Sequence, residues 1–153
     1  MKRRAAMLLA AGLVAFAALA ASSASAGLGV GVEPTGLWIV SAMAETAIAE
    51  SLDLRAEVGF AVSEGIAGLM LATTSILFHV PVPPIDPYAG LGVGAALTPP
   101  QYTSAIVFEA VGGVRIPLFE PVGLLAQARY LVRWSTAGWT MGPVFEAGLF
   151  VLF

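Results

Sequence analysis

Strict alternation of apolar and polar side chains is the feature of this sequence that most restricts its fold. In the segment 122–134, the even-numbered side chains are apolar or aromatic, whereas the odd-numbered ones include Gln127, Arg129 and Arg133. The segment 52–62 alternates in the same way and carries three charges on its odd-numbered face. Successive side chains of a strand point to opposite faces, so each segment has one apolar and one polar face as a β-strand. On a helix, residues two apart would point about 200° apart, and the apolar face would be lost.

The same pattern, together with turn signals from Pro and Gly, predicts eight strands along the chain. The segment that includes residues 41–48 contains good helix formers, but its alternation favours a strand. The predicted strands span residues 27–33, 37–48, 52–62, 69–80, 87–97, 104–117, 122–134 and 139–153.

The composition indicates that these strands cross a membrane. The mean hydropathy is +0.88, 58 % of residues are hydrophobic and only 11 % are charged, whereas about a quarter are charged in ordinary soluble domains. The best helical candidate after the N-terminal region, 65–80, is shorter than the roughly 20 apolar residues that a spanning helix needs. It also contains Thr73, Thr74, Ser75 and His79.

Strands in hydrocarbon must close into a barrel, because an open sheet would leave unpaired backbone groups at its edges. Bacterial single-chain barrels have an even number of strands, and eight is the smallest number. The sequence therefore predicts an all-β fold, an eight-stranded antiparallel up-and-down transmembrane β-barrel. With eight strands, both termini return to the periplasmic side.

The N-terminal region, residues 1–26, has the pattern of a secretory signal peptide. Three positive charges precede an apolar stretch of small residues and Leu, and Ala24-Ser25-Ala26 has an A-x-A cleavage pattern. An uncleaved membrane anchor is the alternative. We expect cleavage after Ala26, which leaves a barrel domain at 27–153.

Charge and cysteine content exclude several function classes. Cleavage would remove all three N-terminal cations, so that ten acidic residues face four arginines. This balance excludes a basic nucleic-acid surface. The chain has no cysteine, which excludes disulfides and thiolate metal sites. The sequence predicts neither a metal site nor a cofactor.

Every charged residue placed within a predicted strand falls on the face opposite the apolar one, and that face would line the barrel interior. An eight-stranded barrel is only wide enough for side chains to fill. The charges therefore favour a plugged, salt-bridged lumen, and a gated small pore is the alternative. The predicted lumen ion pairs involve Glu45, Arg55, Glu57, Glu109, Arg115, Arg129, Arg133 and Glu146.

The position of a hairpin turn determines which residues lie opposite each other, and this predicts the partners of some of these charges. A hairpin centred on position 50 sets Glu45 opposite Arg55, and one centred on position 119 sets Glu109 opposite Arg129. Opposite charges that face each other across strands stabilise a sheet. Glu146 should also reach the level of Arg129 if the last hairpin turns near residue 137.

Aromatic residues cluster at the strand ends, as in the two girdles of membrane barrels. The alternative is that they are core aromatics of a soluble sandwich. The predicted girdle residues are Trp38, Phe60, Trp134 and Trp139 on the outer side, and Phe78, Phe119 and Phe153, with Tyr88 nearby, on the periplasmic side.

With these features, the chain resembles the small outer-membrane β-barrel family of the OmpA transmembrane domain and OmpX type. The resemblance covers the segments "PYAGLGVGAAL", "EAVGGVRIPL" and the terminal "GPVFEAGLFVLF". It implies a location in the bacterial outer membrane and contact with outer-membrane lipids. It also implies that the final strand, ending in Phe153, is recognised by the barrel-assembly machinery. The outer connections are shorter than in many members of the family, which argues against adhesion or receptor roles built on long loops.

Lipid-modifying enzymes, such as the lipid A deacylase and palmitoyltransferase barrels, share this scaffold and need an activated nucleophile. The single histidine, His79, and Ser75 lie on the same face but about 13 Å apart along a strand. They cannot form a hydrogen-bonded pair there, so we expect no catalytic residues. The two "GLGVG" segments have glycines spaced by two, which is typical of a strand and not of a phosphate-binding turn. The preferred function is a structural barrel, with a small channel or ligand carrier and then a lipid-modifying enzyme as alternatives.

Overall fold

Eight antiparallel strands form a closed barrel in the computed structural model, which describes residues 25–63, 66–80, 82–98 and 103–153. Each strand pairs with its neighbours in sequence, and the first strand pairs with the last. The predicted up-and-down topology is confirmed, and every predicted strand overlaps an observed one. The strands are β1 (Ser25–Val32), β2 (Trp38–Ala49), β3 (Leu52–Ser63), β4 (Ile66–His79), β5 (Asp86–Thr98), β6 (Thr103–Phe119), β7 (Val122–Ser135) and β8 (Gly138–Leu152).

The described residues contain no helix that is long and apolar enough to cross a membrane.

The two ends of the barrel differ in what they carry. Ser25 and Phe153 lie at one end, the terminal rim, together with the β2–β3, β4–β5 and β6–β7 connections. The opposite end, the distal rim, carries the other four connections. At two distal connections, glycine provides a positive φ angle, 84° at Gly36 and 118° at Gly138. Glycine adopts this conformation without steric cost, which explains the turn signals at these positions.

The start of β1 overlaps the predicted signal peptide. Ser25 and Ala26 pair with both β2 and β8, and the Ser25 hydroxyl donates a 3.1 Å hydrogen bond to the Glu45 carboxylate. Cleavage after Ala26 would remove this hydrogen bond and shorten β1. The rest of the predicted signal peptide, residues 1–24, lies outside the described residues.

The observed register of two hairpins can be compared with the strand pairings predicted from the sequence. Glu45 lies opposite Arg55, as predicted. The second pairing is wrong, because Glu109 lies opposite Leu131 and Arg129 lies opposite Val111. The β6–β7 turn is centred one residue later than predicted, and the pairing shifts between Pro117 and Phe119. An irregularity of this kind moves every pair of the hairpin by the same amount.

Large apolar side chains cover the outer wall of the barrel. Leu91 is 72 % exposed and Leu28 is 66 % exposed. The seven predicted girdle aromatics also lie on this wall, with Trp134 and Trp139 stacked at a centroid distance of 5.7 Å. Tyr88 corrects the girdle assignment, because its ring is buried inside the barrel. An outer wall of this kind suits hydrocarbon and not water.

Glycines on the inner wall make room for larger side chains. The two "GLGVG" segments lie within β1 and β5. A Cβ atom at Gly29 would overlap the Glu146 carboxylate and lie 2.9 Å from the Ser41 hydroxyl. A Cβ atom at Gly92 would overlap the Ser75 hydroxyl. These glycines therefore provide the space that the charged residues occupy.

We predict that Gly29→Leu lowers the free energy of unfolding by at least about 1–3 kcal/mol, because overpacking forces neighbouring side chains out of their preferred rotamers. Gly142→Leu is the matched control, because it makes the same change at a position where a Cβ atom meets nothing within 4 Å. The measurement is guanidinium unfolding of the refolded protein in detergent micelles. Equal stability of the Gly29→Leu variant and the wild type would show that the inner wall has spare room.

Candidate functional site

A single buried arginine gathers three carboxylates at the centre of the lumen. Arg129 on β7 is 1 % exposed. Its Nε donates a 3.0 Å hydrogen bond to Glu109 of β6, and its Nη2 donates to the same oxygen. Its Nη1 donates to Glu57 of β3 and lies 3.6 Å from Glu146 of β8. The predicted pair of Glu109 and Arg129 thus forms diagonally, although the two residues are not opposite in register.

Neutral donors satisfy carboxylate oxygens to which Arg129 does not donate a hydrogen bond. The Ser75 hydroxyl donates a 2.6 Å hydrogen bond to Glu109. The Ser41 hydroxyl and the Gln127 amide both donate to Glu146, the latter at 2.9 Å. Buried carboxylates are costly unless they are paired and hydrogen-bonded, so these residues belong to the site. Ser41 and Gln127 were not predicted as site residues, although both lie on the inward-facing parity of their strands, which is the sequence signal for such a place.

A second cluster surrounds Arg55 closer to the terminal rim. Its Nε donates to Glu45, and its Nη1 donates a 2.6 Å hydrogen bond to Gln127. Its guanidinium lies 4.8 Å from the centroid of the Tyr88 ring, in a cation–π contact. The Tyr88 hydroxyl donates a 2.7 Å hydrogen bond to Gln127, and Arg115 donates to Glu45. Gln127 therefore joins this cluster to the one around Arg129.

A third cluster lies at the terminal rim, around the single histidine. His79 Nδ1 is 3.0 Å from Asp86, and Nε2 is 3.1 Å from Asp53, although only the first contact has hydrogen-bonding geometry. Arg115 lies 3.6 Å from Asp53 and 3.7 Å from Asp86. The Ser75 hydroxyl donates to Glu109 and not to the histidine. This part of the lumen is a charge cluster without an activated hydroxyl.

The eighth predicted lumen charge, Arg133, lies apart from these clusters. It donates to Glu33 near the distal rim, where the two side chains are 20 % and 11 % exposed.

An apolar layer separates the central charges from the distal rim. On five strands, a polar residue of the network is followed, toward the distal rim, by an apolar inward-facing residue. Val107 follows Glu109 on β6 in this way, and Leu131 follows Arg129 on β7. The seven residues of the layer are buried and apolar, so none of them offers a hydrogen-bonding side chain to water. Its members are Ile39, Ala61, Leu71, Ala96, Val107, Leu131 and Val144.

Across the described ranges, no group of three or more His, Cys, Asp or Glu residues is arranged to hold a metal ion.

Several solved membrane barrels resemble the whole described fold. The crystal structure of Neisserial surface protein A is 17 % identical, with a TM-score of 0.62 over 84 % of this chain and 94 % of that chain. The crystal structure of the outer membrane enzyme PagL is 12 % identical, with a TM-score of 0.63 over 85 % of this chain and 100 % of that chain. A barrel from the de novo design of transmembrane β-barrels is 15 % identical, with a TM-score of 0.65 over 84 % and 93 %.

These likenesses establish the fold, an eight-stranded transmembrane β-barrel, and leave activity open. No protein-family model matches the chain, and no curated protein matches it in sequence. The finer resemblance to the OmpA and OmpX type stays a prediction.

We predict that Arg129→Met lowers the free energy of unfolding by about 3–5 kcal/mol, because it leaves three carboxylates without their common cation. Guanidinium titration in detergent micelles, followed by tryptophan fluorescence, measures the loss. Arg133→Met is the control, and we expect a smaller loss there, because Arg133 pairs with one carboxylate near the rim and not with three at the centre. Similar losses in the two variants would contradict a central role for Arg129.

Proposed function

We propose that this chain is a structural protein of the bacterial outer membrane, a barrel closed by its own side chains and without a catalytic centre. The observation that carries the proposal is the apolar layer between the Arg129 network and the distal rim. Ions and polar solutes would have to cross this layer without hydrogen-bonding partners. The network beneath it adds salt bridges that fix facing walls of the barrel to one another, from β7 to β3 and from β6 to β2.

A small channel is the second candidate from the sequence, and the contacts of its lumen charges argue against it. Arg129 and its three carboxylates are almost fully buried; Glu109 and Glu146 contact it from the neighbouring strands, and Glu57 contacts it from across the lumen. In a conducting pore, charged side chains line an open path for water. Here the same residue types occupy the path.

A lipid-modifying enzyme is the third candidate, because PagL, a barrel with the same fold, is an enzyme of the outer membrane. In the serine–histidine form of nucleophilic catalysis, the histidine must hydrogen-bond the serine hydroxyl that it activates. His79 contacts two aspartates, and the hydroxyl of Ser75, four residues away, is bonded to Glu109. This geometry favours a role for His79 in packing the terminal rim.

The outer wall and the last strand support the proposed partners. Exposed apolar side chains around the barrel suit contact with outer-membrane lipids. β8 ends at Leu152, and Phe153 follows it with 81 % of its surface exposed. We propose the barrel-assembly machinery as the partner of this strand, because the aromatic ring that follows it stays exposed in the closed barrel and is not needed for its core.

We predict that the folded protein adds no conductance steps to a planar lipid bilayer at neutral pH. Folding is checked by the heat-dependent shift in gel mobility, and a porin in the same bilayer shows that steps are detectable. Discrete steps whose size changes in the Glu109→Gln variant would overturn the closed lumen and favour the channel.

A further inference from the structure

A groove crosses the outer wall of the barrel on β1, β6, β7 and β8. Its volume is about 510 Å³. Small residues form its floor, and these are Gly112, Ala126, Ala128 and Ala147. Larger side chains border this floor, so the groove is a local depression in a lipid-facing surface.

The register explains why the small residues form one continuous floor. Gly112 lies opposite Ala128, and Ala126 lies opposite Ala147. Ala126 and Ala128 are two residues apart on β7, so they project from the same face. The four small residues, on three adjacent strands, are therefore neighbours on the outer wall.

Large side chains border this floor on several sides. Tyr130, two residues beyond Ala128 on β7, is 44 % exposed, and Leu124, two residues before Ala126, is 41 % exposed. Phe145 and Trp38 line the side that leads to β1 and β2. The depth of the groove comes from the difference in size between these side chains and the floor.

Gly112 is a glycine that the packing of the barrel does not require. A Cβ atom there would meet only the Tyr88 carbonyl oxygen, at 3.9 Å. At the neighbouring Gly113, which faces the lumen, a Cβ atom would lie 2.6 Å from the Tyr88 hydroxyl. Glycine weakens a strand interior and commonly marks the close approach of another group. At position 112, its effect is to keep the floor of the groove open to the outside.

We propose that this groove binds one acyl chain of a membrane lipid. The groove is continuous with the lipid-facing wall, so lipid tails are the molecules that meet it. Its surface is apolar, since the polar side chains of the lining residues Gln127 and Glu146 bond to each other inside the lumen. The proposal rests on the membrane-spanning fold and is independent of the closed lumen.

Shape provides the binding energy in this setting. Lipid tails are as apolar as the wall, so the hydrophobic effect does not distinguish the groove from bulk lipid. An unfilled depression loses dispersion contacts over its whole floor. A chain that fits the groove recovers these contacts, and it should exchange more slowly than the surrounding lipid.

Native mass spectrometry of the full exported chain tests this proposal. The protein is delipidated in detergent, mixed with dipalmitoylphosphatidylethanolamine in mixed micelles, and released from the micelle by collisional activation. Ala128→Phe fills the floor, and Ala72→Phe makes the same change at an outward-facing position of β4, away from the groove. Gly112→Leu is a second filling variant, at a position where an added Cβ atom meets only the Tyr88 carbonyl oxygen, at 3.9 Å.

We expect the wild type and Ala72→Phe to retain one phospholipid, and both filling variants to show at least a fivefold smaller bound fraction. Variants are compared at equal folded fraction by gel mobility, and Gly112→Leu decides the result if Ala128→Phe does not fold. Equal retention in all four proteins would overturn the proposal. A lipid-free dimer that the filling variants dissociate would also overturn it, by assigning the groove to a second copy of the chain.

Discussion

Backbone hydrogen bonding in a medium without water is the constraint on which the whole structure depends. Each strand that crosses hydrocarbon needs a partner on both sides, because unpaired backbone groups there cost several kcal/mol each. Closure of β1 on β8 meets this requirement. Closure with eight strands also sets the width of the lumen, which is only wide enough for side chains. The barrel must therefore fill itself, and the composition of its inner wall follows from that need.

The inner wall combines charge and small size in a specific way. Long arginines reach across the lumen from β3 and β7, and glycines on β1 and β5 give the polar side chains room. A slip of one residue in any hairpin would turn these charges toward lipid. The salt bridges thus specify register as well as fill space. The apolar layer around Val107 and Leu131 then separates them from the distal rim.

The sequence predicts the fold well because period-two alternation survives in nearly every strand. It also predicts the contact between Glu45 and Arg55, since a short turn fixes that register. The prediction that Glu109 lies directly opposite Arg129 is wrong because no residue pattern in the sequence reveals the register shift near Phe119. Contacts across the lumen, such as Arg129 with Glu57, depend on strand tilt and closure, which no local pattern encodes. Tyr88 was predicted near the girdle but lies in the lumen, because an aromatic residue near a strand end is compatible with either place when only the sequence is considered.

The central claim is that charges from facing walls form one coupled network in a closed lumen. A double-mutant cycle on Arg129→Met and Glu57→Leu, read as unfolding free energies in detergent micelles, tests it most directly. The two residues lie on β7 and β3, so their coupling reports contact across the lumen and not within a hairpin. If the two side chains belong to one network across the lumen, the coupling energy should be about 1–3 kcal/mol. Effects that add to within about 0.5 kcal/mol would contradict it.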